Sequence, residues 1–194
     1  TQLSVLPSYT ALGMASLLPH KQLEYTDKGD VLADGVSTTG SENRNTILSK
    51  VEGMVIGADA LLGMKKEEGR QLVEGMKVVY VYHNEIDTRG ENAATEGDTF
   101  QATHEAIREL ADIVRYIMNN LNGNYVVVTA DHGFLFSETA PGETDKSKLE
   151  DKPEGTVKAK KRYLIGYNLP EYEDAWRGKT EITAKCAGGM EFWI

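Results

Sequence analysis

Two clusters of acidic and histidine side chains carry residue types that could bind metal ions. The first cluster contains Asp87 and Glu91, and the second is the consecutive sequence Asp131-His132-Gly133. Carboxylate oxygens and imidazole nitrogens are ligands that suit zinc and manganese. Each cluster follows a short apolar stretch, and sites in open parallel sheets form just past the carboxyl ends of the strands. We therefore expect both clusters at one rim of a sheet.

Each cluster also has a structural interpretation. An Asp-His-Gly sequence is common in turns, and Asp87 with Glu91 could pair with Arg89 or cap a helix. We interpret His83, which ends the first apolar stretch, as a histidine with satisfied hydrogen bonds rather than as a ligand. Two sets of carboxylates in one cleft repel each other unless a cation neutralises them. The combination of the clusters therefore favours a metal site.

A hydroxyl group stands at the first turn of a predicted helix near the start of the chain. The sequence Pro7-Ser8-Tyr9-Thr10 places it where backbone N–H groups and the helix dipole favour a phosphate. A threonine hydroxyl is a weak nucleophile by itself, and a bound divalent cation would stabilise its alkoxide. The structural alternative is that Ser8 or Thr10 simply caps the helix.

The apolar patterns predict the elements that position these residues. Residues 78–82 (VVYVY) and 125–129 (YVVVT) are typical of strands buried on both faces. Between them, Asp98 begins a long helix that Gly123 ends, with apolar residues at helical spacing. These residues are Ile107, Leu110, Ala111, Val114, Ile117, Met118 and Leu121. Strand, helix and strand in this order predict parallel strands with a right-handed crossover, so the fold class is α/β with a mostly parallel sheet.

The remaining segments are predicted from capping and turn residues. We expect helices over 7–18, 41–50 and 65–74, and a strand over 162–167. We also expect a polar insertion around 21–50 and a flexible acidic loop around 137–160, while the pattern over 54–64 assigns no type.

Composition limits the classes of function. The chain has 194 residues, 40% of them apolar and 26% charged, which suits a single globular domain. Its net charge of -9 argues against broad electrostatic capture of nucleic acid. No apolar run is long enough to span a membrane, and the single cysteine, Cys186, fits the reducing cytoplasm. The chain begins without Met and ends in an apolar stretch, so we expect a fragment of a larger protein.

Three segments resemble motifs of the alkaline phosphatase superfamily. Residues 6–19 (LPSYTALGMASLLP) resemble its nucleophile helix, residues 87–91 (DTRGE) its Asp-x-x-x-His metal motif, and residues 131–133 its Asp-His-Gly motif. The longer strings over 79–87 and 129–136 are similar to the PglZ domain of BREX phage-defence systems in particular. The resemblance spans roughly residues 1 to 170. It implies a three-layer sandwich with a mostly parallel central sheet.

The resemblance also implies roles for individual residues. Thr10 corresponds to the residue that becomes phosphorylated. Thr10, Asp131 and His132 would bind one divalent ion, and Asp87 and Glu91 would bind a second. Glu91 stands where the superfamily usually has histidine, which favours manganese or magnesium over zinc at that position. One further aspartate of the first strand lies outside this sequence, and no histidine follows His132.

These observations predict a metal-dependent phosphoester hydrolase that acts through a phosphothreonine intermediate. The substrate would be a monoester or diester, including a nucleotide or nucleic acid, and Arg44 and Arg89 are candidate phosphate contacts. One alternative is an inactive scaffold domain that binds other proteins of the defence system. A second alternative is a metal-dependent nuclease that uses acidic residues only. These residues are Glu85, Asp87, Glu91 and Asp131. Because two expected metal ligands are absent, we expect the isolated chain to be weak in metal binding and activity.

Overall fold

The structure is a computed structural model that describes most of the chain. The described residues are 4–91, 99–133, 142, 151–160 and 162–194, and the side chains of residues 89–91, 99 and 100 lie outside the described part.

Helices and strands alternate along the described chain. The helices are α1 (Thr10–Leu17), α2 (Ser41–Ser49), α3 (Ala58–Leu62), α4 (Lys66–Val73), α5 (Glu85–Glu91), α6 (Thr99–Asn120) and α7 (Thr180–Thr183). The strands are β1 (Leu23–Tyr25), β2 (Val31–Ala33), β3 (Val36–Ser37), β4 (Gly53–Gly57), β5 (Val78–Tyr82), β6 (Thr156–Lys160), β7 (Tyr163–Gly166), β8 (Arg177–Lys179), β9 (Cys186–Ala187) and β10 (Glu191–Trp193). None of these helices is long and apolar enough to cross a membrane.

The chain forms two compact units. Among the described residues, the first comprises 4–47, 130–133, 142, 151–160 and 162–194, and the second comprises 48–91 and 99–129. The α/β class is confirmed, since both units combine helices with strands.

The first unit contains two four-stranded sheets. One has the strand order β3-β2-β1-β9, with antiparallel pairs except for the parallel pair of β1 and β9. The other has the order β6-β7-β10-β8 and is antiparallel throughout. The core of the first unit includes the fully buried side chains of Leu12, Leu23 and Phe192. The described sheets of this unit are therefore mixed or antiparallel, unlike the mostly parallel sheet that we expected.

A β-hairpin occupies the region where we expected a polar insertion. β2 and β3 are joined by Asp34 and Gly35, which have φ angles of 49° and 77°. Asp-Gly is the sequence that favours such a turn, because both positions require positive φ. The Asp34 carboxylate also accepts hydrogen bonds from the backbone N–H groups of Lys21 and Gln22, at 3.0 and 2.9 Å. Residues 23–37 of the predicted insertion therefore contain three short strands, and the helix beginning at Ser41 is confirmed, whereas the insertion itself stays a prediction.

The second unit is built on a parallel pair of strands. β4 lies beside β5, with Met54 opposite Val79 and Ile56 opposite Val81. An apolar cluster packs on this face, and it includes Leu61 of α3, Leu72 of α4 and Leu121, the residue after the end of α6. β5 is confirmed, and its described neighbour is β4, which comes earlier in the chain.

The predicted second strand over 125–129 is wrong in this structure. These residues have no regular secondary structure, and Tyr125 and Val127 are 85% and 65% exposed. A strand buried on both faces needs hydrogen-bonded neighbours and a covering layer. In the described part of the chain, no strand pairs with residues 125–129.

The long helix is confirmed, but its buried face differs from the predicted one. Within α6, Ala102, Ala106 and Ile113 are buried, whereas Ile107 and Met118 are 57% and 43% exposed. The apolar arc of α6 is therefore wider than the surface that covers it.

The predicted acidic loop coincides in part with a strand. Residues 156–160 form β6, which pairs with β7, and β7 confirms the strand expected over 162–167. Residues 137–141 and 143–150 of the predicted loop lie outside the described residues.

The thiol of Cys186 offers a probe of the first unit. Burial, reinforced by the carboxylates of Glu24 and Glu181, raises its pKa from 9.0 to about 12. Because the thiolate is the reactive form, we expect native protein at about pH 8 to resist alkylation by iodoacetamide. Unfolding in urea should make the thiol reactive, as measured by mass spectrometry. Rapid alkylation of the native protein would contradict this burial.

Candidate active site

Helix α1 begins without a side-chain cap. Tyr9 is the N-cap residue, with extended φ and ψ of -154° and 159°, and no side-chain hydrogen bond caps the helix. The alternative in which Ser8 or Thr10 caps the helix is therefore wrong. The predicted start at Pro7 is also too early, because Tyr9 is extended. The first-turn N–H groups have no partner within an α-helix, so they can bind an anion such as a phosphoryl group.

The hydroxyl group of Thr10 contacts a histidine rather than capping the helix. Thr10 Oγ1 lies 3.0 Å from His132 Nε2, although 122 positions separate the two residues in the chain. His132 Nδ1 lies 2.9 Å from the carbonyl oxygen of Gly133, which can only accept a hydrogen bond. Nδ1 therefore carries the proton of the neutral ring, and Nε2 accepts the hydrogen bond from Thr10.

Asp131 completes a compact group of potential metal ligands. Its Oδ2 atom lies 3.5 Å from His132 Nε2, and both side chains are mostly buried. Ligands bound about 2.0–2.2 Å from one tetrahedral zinc ion stand about 3.3–3.6 Å apart, so this spacing suits a divalent cation. In the described part of the chain, no three His, Cys, Asp or Glu side chains form a group that could hold a metal ion. Thr10, Asp131 and His132 thus fit a cation as part of a coordination shell.

A glycine in the middle of α1 allows this contact. A Cβ atom on Gly13 would lie 2.1 Å from the carbonyl oxygen of Asp131 and 2.7 Å from its carbonyl carbon. Real Cβ atoms do not approach backbone atoms so closely. Any larger residue would therefore push Asp131 and His132 away from Thr10. Sequence reasoning missed this role, although an isolated glycine inside a helix usually has a packing reason.

Tyr9 fixes the start of α1 to the body of the first unit. Its hydroxyl group lies 3.0 Å from the hydroxyl group of Tyr25, and its ring stacks on Tyr163 with centroids 4.5 Å apart. Burial is the main cause that raises the pKa values of Tyr9 and Tyr25. The carbonyl oxygen of Tyr9 accepts a hydrogen bond from the backbone N–H of Gly13 at 2.9 Å. Tyr9, the residue before Thr10, thus contacts one sheet of the first unit through Tyr25 and the other through Tyr163.

The first predicted cluster, Asp87 with Glu91, lies on α5 in the second unit. Asp87 and Glu91 are four positions apart on this helix, which is about one helical turn. The side chains of Arg89 and Glu91 lie outside the described ones. The prediction that Asp87 and Glu91 share a two-metal site with Thr10, Asp131 and His132 stays a prediction.

His83 has the structural role that we expected. Its Nε2 atom lies 2.7 Å from Glu109 Oε2, so α6 holds the imidazole at the end of β5. Arg44 also makes a structural hydrogen bond, from Nε to the carbonyl oxygen of Thr38 at 2.8 Å. Contacts of Arg44 and Arg89 with a phosphate stay predictions.

The comparisons with known proteins agree with the motifs. The whole chain, residues 1–194, matches the family described as the BREX system PglZ alkaline phosphatase-like domain. The chain belongs to this family. The resemblance inferred from the Thr10, Asp87 and Asp131 segments is thereby confirmed. No solved structure matches the chain.

Two curated relatives are much longer than this chain. The alkaline phosphatase-like protein BrxZ of Escherichia coli O9:H4 (strain HS) is 49% identical over 196 residues, which cover 100% of this chain and 23% of that protein. The alkaline phosphatase-like protein PglZ of Bacillus cereus (strain H3081.97) is 32% identical over 203 residues, covering 95% and 24% respectively. The chain therefore spans about a quarter of the length of these relatives.

Replacing Gly13 tests the close approach in the first unit. We expect Gly13→Ala to lower the free energy of unfolding by about 1–3 kcal/mol, because the methyl group has no room beside Asp131. Urea unfolding measures this loss. Gly133→Ala is the matched control, since no described group apart from its chain neighbours lies within 4 Å of a Cβ atom placed on Gly133. Equal stability of the two variants would contradict the close packing of α1 on Asp131.

The hydroxyl pair of Tyr9 and Tyr25 gives a second test. Either Tyr9→Phe or Tyr25→Phe leaves one buried hydroxyl group without its partner, and we expect each to cost about 1–2 kcal/mol. The double variant removes both polar atoms, so its loss of stability should be smaller than the sum of the single losses. Additive losses in urea unfolding would show that the two hydroxyl groups do not interact.

Proposed function

We propose that the full-length protein hydrolyses phosphoesters and that Thr10 is its nucleophile. The observation that carries this proposal is the 3.0 Å contact between Thr10 Oγ1 and His132 Nε2 at the uncapped start of α1. A threonine that merely capped the helix would direct its oxygen to the backbone N–H groups. Here no side chain in the described part of the chain caps the helix, which supports binding of a phosphoryl group by those N–H groups next to the hydroxyl.

The reaction would proceed in two displacements. In the first, Thr10 Oγ1 loses its proton, forms a bond to phosphorus and breaks the ester P–O bond, and the leaving oxygen takes a proton from solvent. The proton of Oγ1 passes to His132 Nε2, or to water when Nε2 is a metal ligand. In the second, water attacks phosphorus, the bond to Oγ1 breaks, Oγ1 regains a proton, and the water proton goes to solvent. The net change is hydrolysis of one ester bond.

The chain's own residues provide orientation and binding. The Nδ1 contact of His132 with the Gly133 carbonyl fixes the tautomer. Nε2 then accepts the hydrogen bond from Thr10 when no ion is bound, and it would bind the ion when one is present. Thr10, Asp131 and His132 would hold one divalent ion, zinc or manganese, and Asp87 with Glu91 would hold a second. When bound, such ions supply positive charge that stabilises the alkoxide and the phosphoryl oxygens.

The family description supports a place in a BREX defence system. The relatives' names describe alkaline phosphatase-like proteins, so a phosphate monoester or diester is the proposed substrate class, with nucleotides and nucleic acid among the candidates. Other proteins of the same system are the proposed partners.

Substitution of Thr10 in the full-length protein tests the proposal. We expect Thr10→Ala to lower hydrolysis of p-nitrophenyl phosphate or bis(p-nitrophenyl) phosphate by at least about a thousandfold, since no other group replaces the nucleophile. Thr10→Ser keeps a hydroxyl group and should retain measurable turnover. Because Thr10 is exposed and alanine favours helix, neither change should alter the far-UV circular dichroism.

Two outcomes would point to the alternatives. Undiminished hydrolysis by Thr10→Ala would exclude the covalent route and favour a nuclease-type attack by water. Absence of hydrolysis in metal-loaded wild-type protein would favour the scaffold function.

A further inference from the structure

Cationic side chains are concentrated at the hairpin that joins β6 to β7. Residues 158–162 have the sequence KAKKR, so four of these five side chains are cationic in a chain with a net charge of -9. Lys158 is held within the first unit, because its Nζ atom lies 2.9 Å from Asp30 Oδ1 and 2.9 Å from the carbonyl oxygen of Gly29. Lys160 and Arg162 are exposed, and neither forms an ion pair with a described side chain. These two cations can therefore bind an external anion.

The hairpin lies next to the start of α1. Lys160 is the register partner of Tyr163, the first residue of β7. Directly opposed residues of an antiparallel pair project from the same face of the sheet, so Lys160 and Tyr163 share a face. The ring of Tyr163 stacks on the ring of Tyr9 with centroids 4.5 Å apart, and Tyr9 directly precedes Thr10. A short series of contacts thus connects Lys160 to the candidate nucleophile.

This arrangement places positive charge beside the reacting group rather than on it. The rings of Tyr9 and Tyr163 separate Lys160 from Thr10, whose own oxygen contacts His132. A lysine ammonium acts as a point charge on a flexible stem, and an arginine guanidinium can bind a phosphate through two hydrogen bonds. A substrate that carries a second phosphate next to its reacting phosphate matches both cations. A substrate with a single phosphate leaves them without an anionic partner.

We propose that Lys160 is a specificity-determining residue that binds a second phosphate group of the substrate, and that Arg162 extends this anion subsite. The second phosphate belongs either to a sugar–phosphate backbone or to the phosphoanhydride chain of a nucleotide, which share the chemistry that the two cations recognise. This inference rests on the proposed function, in which Thr10 receives the reacting phosphoryl group.

Calorimetric titration of the metal-loaded full-length protein tests the subsite. The Thr10→Ala background prevents turnover, and thymidine 5′-monophosphate provides the reference with one phosphate. We expect thymidine 3′,5′-bisphosphate or thymidine 5′-diphosphate to bind about tenfold more tightly than the monophosphate at low salt, and Lys160→Gln to remove most of this gain. A gain for the bisphosphate identifies the spacing of a sugar–phosphate backbone, and a gain for the diphosphate identifies a phosphoanhydride chain. Equal affinities for all three probes would overturn the proposal.

A second exposed lysine of the same sheet provides the matched control. Lys179 lies on β8, at the opposite edge of the sheet from β6, and Lys179→Gln removes the same charge from the protein. This variant should keep the full preference for two phosphates. An unchanged preference in Lys160→Gln, or an equal loss in Lys160→Gln and Lys179→Gln, would show that Lys160 forms no subsite.

Failure of the subsite and failure of the proposed function give different results. The titration measures affinity in a background without the Thr10 hydroxyl group, so its outcome does not depend on the covalent route. Undiminished hydrolysis by Thr10→Ala contradicts the nucleophile and leaves the measured preference for two phosphates as it is. A preference that Lys160→Gln does not change contradicts the subsite and leaves the role of Thr10 intact.

Discussion

The candidate site depends on the close approach of α1 to the backbone of Asp131. Gly13 lacks the Cβ atom that would otherwise meet the Asp131 carbonyl oxygen at 2.1 Å. Thr10 lies one helical turn before Gly13, and His132 directly follows Asp131. The short contact between Gly13 and Asp131 therefore brings Thr10 within reach of His132. The geometry of Thr10 and His132 is therefore set by backbone packing, which is more rigid than a contact between two long side chains.

The rest of the first unit holds α1 in this position. Tyr9 joins the start of the helix to β1 through Tyr25 and to β7 through Tyr163, so both sheets constrain Thr10. The β2–β3 hairpin and its Asp34 turn support β1 in turn. Such a framework fixes the position of Thr10, and the proposed reaction would benefit from this orientation.

The sequence predicted which side chains come together around Thr10 better than the pairing of the strands. Thr10, Asp131 and His132 could be identified because their types suit phosphoryl chemistry and their motifs resemble a known family, and the structure brings them together. The strand over 78–82 was also predictable from its continuous apolar run. The run over 125–129 has the same pattern but no partner in the described chain, since pairing depends on distant segments and not on local composition. The roles of Gly13 and Tyr9 were hidden for the same reason, because both act through contacts made by residues far away in sequence.

The central claim is that Thr10, which lies beside His132, forms a covalent phosphoryl intermediate. Rapid acid quenching of the full-length, metal-loaded protein during turnover, followed by peptide mass spectrometry, tests it most directly. The account predicts one phosphoryl group on Thr10, and none when substrate is left out. Turnover with an unmodified Thr10, or a phosphoryl group on a different residue, would contradict it.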